Sequence, residues 1–484
     1  MPPARAVARV LFVLVFALSA ALLLLTAYWS ASTMASRPPD GAEGEIAFEA
    51  ARIARGLPLY VDPAIGAGEY GPPPSRYFVL YPPLWPALLS RLPASLLDRN
   101  VVGSRAIAFA LWFGTLGLLV ARAEPRCRRV AALVAVFLGS TWVLALFATS
   151  GRPDALAVLL AAIAAERSVR KGRVDPLAGA LFALAAWTKP NVLGLAAGAF
   201  AGQVWVSRRG VVAPALAGLA TSGVIACILH VTSGGAWLGH LVASTGQPLD
   251  LGLWLGQIGD RLPFFGPTML AAGALAISRR ADDRAKIAAG AVVATAAWAL
   301  FSLAKIGSAS NYWLEPSVAA LVCFARFEVP ERLRRSLAVA GACAAQLGWN
   351  GVASAQASIR GIASAPAKAA VLARAREACG AKPTDVVVAD EPGIELVVEG
   401  RMVQTPFQTT HLVRRGRFSE ATWIADLSRP EVRCLVMQSD LVERPVEEVS
   451  VPYDCFTPGV RAHLKRTFSL TKSEAGIYIY RRSP

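Results

Sequence analysis

The run VLFVLVFALSAALLLLTAYW, residues 10–29, carries no charged side chain over its whole length. An α-helix rises about 1.5 Å per residue, so a run of this length reaches across the ~30 Å hydrocarbon core of a bilayer. Arg5 and Arg9 precede it, and Tyr28 and Trp29 close it where amphipathic rings settle at a membrane surface. It is too long for a typical signal-peptide core and reads as an uncleaved span.

Working outward, the same grammar repeats. Apolar runs alternate with short connectors to about residue 350, in a chain of 484 residues that is 55% hydrophobic. Every second connector is basic: MPPARAVAR (1–9), RAEPRCRR (122–129), ERSVRKGR (166–173), SRRG (207–210), SRRADDRAK (278–286) and RFEVPERLRRS (326–336). The connectors between them, TSGRPD (149–154), TKPN (188–191) and AKIGSASNYWLEP (304–316), carry one cation each. Lys and Arg near span ends are retained in the cytoplasm, so the basic set faces in and the other set faces out. The expected fold is therefore a polytopic α-helical membrane protein of about eleven transmembrane helices. Their cores are at 10–29, 101–121, 130–149, 154–166, 176–188, 190–206, 211–231, 263–278, 287–304, 312–325 and 337–352.

That topology accounts for the formal charge of +16 without a nucleic-acid partner, because the surplus sits in the inner connectors beside the lipid bilayer. An odd span count with an inner N-terminus puts two regions outside: a long first loop, 31–100, and the tail. The expected division is a membrane domain, 1–352, and a small extracytoplasmic α/β domain, 353–484. In the tail, DVVVAD and VRCLVMQ read as buried strands, GVRAHLKR as a short helix, and TFSLTKSEAGIYIYRR as a hairpin turning at KSEAG. Cys379, Cys434 and Cys455 lie there, where a disulfide is permitted; three thiols allow one bridge at most, and its partners stay open.

The first loop opens on RPPDGAEGEIAFEAARIARGLPLY, residues 37–60, an acidic stretch in a basic chain. Ile46, Ala50, Ile53, Ala54 and Leu57 recur at helical spacing, so Glu43 to Arg55 reads as an amphipathic helix lying along the membrane surface. Glu49 reads as a solvated residue of its polar face. Ionisable side chains gather at the expected outer ends: Asp40, Glu43 and Glu45 in loop one, Arg105 at the start of span two, Asp154 after span three, Lys189 after span five, His240 between spans seven and eight, and Asn311 with Glu315 before span ten. Such groups at membrane depth are costly and mark function. Each also has a plainer reading. Asp154 and Glu315 suit helix starts, Lys189 can snorkel, and His240 can be packed. As chemistry, a loop-one carboxylate would accept a proton from an attacking hydroxyl, and Lys189 with Arg105 would neutralise a phosphate leaving group.

The order of these parts resembles integral-membrane glycosyltransferases of the GT-C class, relatives of the protein O-mannosyltransferases and of the aminoarabinose-transferase-like enzymes that decorate lipid A. The resemblance rests on one span, an acidic outer loop with a helix ending ARGLPLY, then LYPPLWPALL, RPDALAVLL, WTKPN and SNYWLEP. It implies a polyprenyl-phosphate-linked sugar donor, a glycan, lipid or protein acceptor, attack from the outer face with inversion, and residence in a bacterial-type inner membrane. It also implies that Glu43 is the base, with Glu45 and Asp40 as neighbours in the same role, that Asp154 is the second acid, and that Lys189 is the lysine after span five. Many members carry adjacent Asp-Glu at the first position, whereas DGAEGE spaces its carboxylates. Members differ in using a divalent metal ion, and the cofactor stays open. The alternative class is a transporter or flippase for a lipid-linked anion.

Overall fold

The computed structural model describes residues 2–93, 96, 101–245, 247–330, 337–440 and 455–483. Chain contacts separate two compact units: residues 1–31, 107–226 and 249–360 in the first, and 32–106, 227–248 and 361–484 in the second.

The first unit is helical. It comprises α1 (Pro2–Ser32), α4 (Val102–Ala121), α5 (Arg128–Ser140), α6 (Trp142–Ala148), α7 (Asp154–Lys171), α8 (Pro176–Thr188), α9 (Gly194–Val206), α10 (Val212–Ser233), α12 (Leu251–Ser278), α13 (Asp283–Ser302), α14 (Leu314–Arg326) and α15 (Leu337–Ala373); α1, α4, α10 and α15 also carry residues of the second unit. Among the described residues, four segments are long and apolar enough to cross a bilayer: Val13–Ser32, Val102–Ala121, Arg209–Ser233 and Asp283–Ser302. Other expected spans are shorter helices. At 13 residues each, α8 and α9 reach only about 20 Å.

The expected span 130–149 is not a single helix. It breaks at Thr141 into α5 and α6, which meet at 75°. Apolar surroundings tolerate a break only where the freed backbone groups find partners. Here α15 supplies one: Trp142 N–H donates to Ser354 Oγ at 3.0 Å, while Asn350 Nδ2 holds the Thr141 side chain by donating to its Oγ1 at 2.7 Å.

Small residues set the packing. Gly194, Gly198 and Gly202 repeat every fourth position along α9 and meet α13, where a Cβ on Gly198 would lie 2.3 Å from Gly290 O. Backbones can come that close only at glycine, which is how membrane helices gain contact without a hydrophobic driving force. At the centre, α14 is buried along its whole length.

Four of the six basic connectors are tied together by ion pairs. Glu166 receives Arg326, with Arg170 at 3.2 Å and Arg122 at 3.3 Å, and Arg284 joins Glu124 and Asp282 at 2.9 Å each. Asp175 caps α8 and is held by Arg167 at 2.7 Å and Lys171 at 2.8 Å, which keep its carboxyl well below the usual range. Connectors spaced more than a hundred residues apart thus come together.

The second unit joins loop one to the tail. It includes α2 (Gly41–Ala54), α3 (Leu84–Leu89), α11 (Ala236–Thr245), α16 (Ala375–Ala378), α17 (Pro392–Glu399), α18 (Pro406–Arg414), α19 (Glu420–Ser428), α20 (Pro458–Thr467) and four strands. These are β1 (Val386–Ala389), β2 (Val432–Met437), β3 (Phe468–Glu474) and β4 (Ile477–Arg482), in the order β1-β2-β4-β3. β1 and β2 run parallel across a helical crossover, and β3 with β4 forms the expected hairpin. One core packs Trp423, Phe456 and Leu464 with Val388 and Leu435; the other packs Ile394 and Val398 with Val387 and Val436. Cys379 and Cys434 form the disulfide, Cα to Cα 5.8 Å.

Two sequence expectations change here. The helix expected over Glu43–Arg55 exists as α2, but it is buried on its polar positions as well: Glu43, Glu45, Glu49 and Arg52 are each at most 2% exposed. Partners close in from several sides: Arg105 takes Glu43, the Tyr70 and Tyr77 rings flank Arg52, and α17 comes close at Gly44, where a Cβ would lie 2.3 Å from Gly393 Cα. Loop one is also bound to the tail domain by Arg76, which pairs with Asp426 at 2.6 Å, and by Arg401, which donates to Tyr70 O at 2.6 Å. The expected division at 352/353 lies within α15, which carries residues of both units.

Candidate functional site

The expected site residues fall into two clusters, one in each unit. In the second unit, Asp40 is the N-cap of α2. Its carboxylate accepts from Glu43 N–H at 2.9 Å while Glu43 Oε2 accepts from Asp40 N–H at 3.2 Å, a reciprocal capping box. Arg105 then takes both oxygens of Glu43: Nε donates to Oε1 at 2.8 Å and Nη2 to Oε2 at 2.6 Å. The same guanidinium donates to the carbonyls of Met34, Arg37 and Pro38. Both side chains are 1% exposed. Arg105, expected to neutralise a phosphate, and Glu43, expected to be the base, are here the clasp that holds the turn 34–40 to the start of α4.

Glu45 and Glu49 follow on α2, one turn apart on one face. Both are buried at 1%. Neither oxygen of Glu49 has a hydrogen-bond partner among the described residues. Burial pushes its carboxyl well above the usual range, and burial likewise raises the phenols of Tyr60 and Tyr77. Reading Glu49 as a solvated residue is therefore wrong, since loop one folds back and brings Tyr60 and Tyr77 close to it. Arg52 lies over the Phe48, Tyr70 and Tyr77 rings at 5.2–6.0 Å and donates to Pro58 O and Glu69.

His240 of α11 takes the plainer of its two roles. Val79 N–H donates to Nδ1 at 3.1 Å, which leaves the proton on Nε2, 3.0 Å from Val61 O. The ring staples two stretches of loop one, and burial lowers its pKa. It has no nitrogen left for a substrate.

In the first unit, the expected outer connectors converge. Asp154 opens α7 and Lys189 closes α8; Nζ donates to Oδ1 of Asp154, and both are buried. Asn311 Nδ2 donates to the same oxygen at 3.1 Å. Asp154 Oδ2 is buried and has no hydrogen-bond partner among the described residues. Asp154 makes no side-chain capping bond to α7, so the simple cap reading is not realised. Glu315 does cap, but on another helix: it accepts from Gly194 N–H at 3.2 Å and Leu195 N–H at 2.9 Å at the start of α9. Asn191 donates to Tyr312 Oη at 2.9 Å, and Trp298 Nε1 donates to Asn191 O at 2.8 Å. The sequence reading missed Asn191, Tyr312 and Trp298, although WTKPN and SNYWLEP had been singled out as stretches. No group of three or more His, Cys, Asp or Glu side chains able to hold a metal ion occurs among the described residues.

A buried lysine with a buried carboxylate beside it can turn to an anion, and a buried carboxylate in an apolar setting can take up a proton; the two clusters supply one of each. No protein-family model and no curated protein matches the chain. Solved structures do. ArnT from Cupriavidus metallidurans, crystallised bound to undecaprenyl phosphate, matches over 96% of this chain and 97% of its own, at 14% identity and a TM-score of 0.54. The apo state of the same protein matches over the same shares at 13% identity and a TM-score of 0.54. The likeness is one of fold, runs the length of both chains, and agrees with the GT-C resemblance read from the sequence.

Proposed function

We propose that this protein is a membrane glycosyltransferase that moves a sugar from a polyprenyl-phosphate donor to a hydroxyl of a glycan, lipid or protein. The observation that carries the reading is the end-to-end likeness in fold to ArnT in a structure holding undecaprenyl phosphate. The buried Asp154–Lys189 pair and the buried carboxylates of α2 add the groups such a reaction needs.

In the proposed reaction the acceptor oxygen attacks the anomeric carbon, the carbon–oxygen bond to phosphate breaks, and the polyprenyl phosphate leaves with the electron pair. Attack from the side opposite the leaving group inverts the configuration. Lys189 stabilises the charge that develops on the leaving phosphate, and Asp154 with Asn311 orients the ammonium. A loop-one carboxylate takes the acceptor proton. Because Glu43 is bound through both oxygens to Arg105, we assign that role to Glu45, two residues further into α2.

The proposed setting is a bacterial-type inner membrane, with about eleven spans, the N-terminus in the cytoplasm and the tail outside. The arginine-rich connectors tied together by ion pairs and the disulfide in the tail support this orientation. Whether the sugar is a hexose or a pentose is for the assay to decide. Purified protein is incubated with a panel of polyprenyl-phosphate sugars and donor cleavage is followed by mass spectrometry. Consumption of one donor is expected, reduced about 100-fold or more in Glu45→Gln with an unchanged melting temperature. Consumption of none, or equal turnover in Glu45→Gln, overturns respectively the reaction and the base.

A further inference from the structure

An open groove of about 530 Å³ runs between α4 and α5 in the first unit, away from the Asp154–Lys189 pair. Its lining is apolar with one exception. Gly117 of α4 with Ala132 and Ala135 of α5 leaves room that larger side chains would fill, and Phe113 and Leu116 wall it. One end is closed where α5 comes close at Gly139: a Cβ there would lie 2.7 Å from Leu23 Cδ1 and 3.2 Å from Leu116 Cδ1. At the other end stands Arg128, the exception, exposed and without an ion-pair partner among the described residues. Its neighbours Arg126 and Arg129 are exposed too, whereas Arg122 is paired with Glu166.

We propose that this groove holds one acyl chain of an anionic glycerophospholipid, with Arg128 against the lipid phosphate. The dimensions fit. From Phe113 to Ala121 the helix rises about 12 Å, most of the ~15 Å depth of one leaflet, and Gly139 closes the groove before the far leaflet begins. That closure suits a chain one leaflet deep and excludes the full length of a polyprenyl tail. Charge selects the headgroup, because unpaired arginines beside a membrane surface favour anionic over zwitterionic lipid. Under the orientation proposed above, the site lies in the cytoplasmic leaflet; the binding itself does not depend on the protein being a transferase.

Gly117 makes the proposal testable. A Cβ added there meets nothing within 4 Å, so a leucine grows from open space into the groove, and Gly114, equally open but not lining the groove, provides a matched control. Delipidated full-length protein is titrated with phosphatidylglycerol or phosphatidylcholine of the same chains and read by native mass spectrometry. Wild type and Gly114→Leu are expected to retain one phosphatidylglycerol in preference to phosphatidylcholine by about 10-fold. Arg128→Gln should erase the preference, and Gly117→Leu should lose the tight lipid altogether while melting as wild type does. Equal retention of the two lipids by wild type, or unchanged retention by Gly117→Leu, overturns the assignment. So does displacement of phosphatidylglycerol by equimolar undecaprenyl phosphate in wild type but not in Gly117→Leu, which would give the groove to the donor lipid instead.

Discussion

Arg105 and Glu43, 62 residues apart, meet through two hydrogen bonds of 2.8 and 2.6 Å with both side chains 1% exposed. Removing one partner of such a pair strands the other charge in an apolar setting, at a cost of about 3–5 kcal/mol. Glu43→Gln and Arg105→Gln should therefore each lower the melting temperature in detergent, and the double variant should lose less than the two losses added together. A Glu43→Gln protein that melts normally but fails to turn over donor would return the base to Glu43.

Lys189→Ala should weaken the polyprenyl-phosphate donor by about 10- to 100-fold, the range for loss of a hydrogen bond to a charged group, with little change in acceptor affinity. Asp154→Asn keeps an acceptor oxygen for Lys189 and should affect donor binding far less. Equal losses for donor and acceptor in Lys189→Ala would contradict the phosphate role.

Gly44→Ala tests the packing of α2 against α17. Its Cβ would lie 2.3 Å from Gly393 Cα, so the two helices must separate, at about 1–3 kcal/mol. Gly68→Ala, whose Cβ meets nothing within 4 Å, should be silent. Urea or thermal unfolding of the two proteins side by side provides the comparison, and equal stability would place α2 and α17 further apart than described.

His240 should make loop one sensitive to acid. An imidazole in the unfolded chain takes up a proton near pH 6.5; in the folded protein burial lowers that value, against the pull of Val61 O and Asp62. Its contribution is therefore fully present above about pH 6.5 and is lost as the pH falls through the folded value. Protonation puts a proton on Nδ1 and expels the Val79 amide. Hydrogen exchange in residues 61–79 should speed up between pH 7 and pH 5 in wild type, beyond the intrinsic change, and not in His240→Phe, where the staple is absent at every pH. Identical pH profiles would dismiss the staple.

Local pattern was legible wherever burial follows from neighbours in the chain. Helix α2, both tail strands, the closing hairpin and the first span came from spacing alone, because period and turn residues are local properties. The pairing of Cys379 with Cys434, rather than with Cys455, depends on α16 and β2 coming together, 55 residues apart. The break at Thr141 was invisible for the same reason: its partners, Asn350 and Ser354, lie more than two hundred residues away.

By itself the amino-acid order determined a membrane protein with its cations on alternate connectors, because the bilayer penalises charge in a way that any single segment reports. It also marked Asp154, Lys189, Glu43 and Glu45 as groups that need a reason. Which of them are committed to structure was decided only by the tertiary fold, since a carboxylate is free for chemistry or held by a guanidinium according to what the rest of the chain brings to its side. Glu43 met Arg105, Glu315 met the start of α9, and Glu49 was buried near Tyr60 and Tyr77 of loop one.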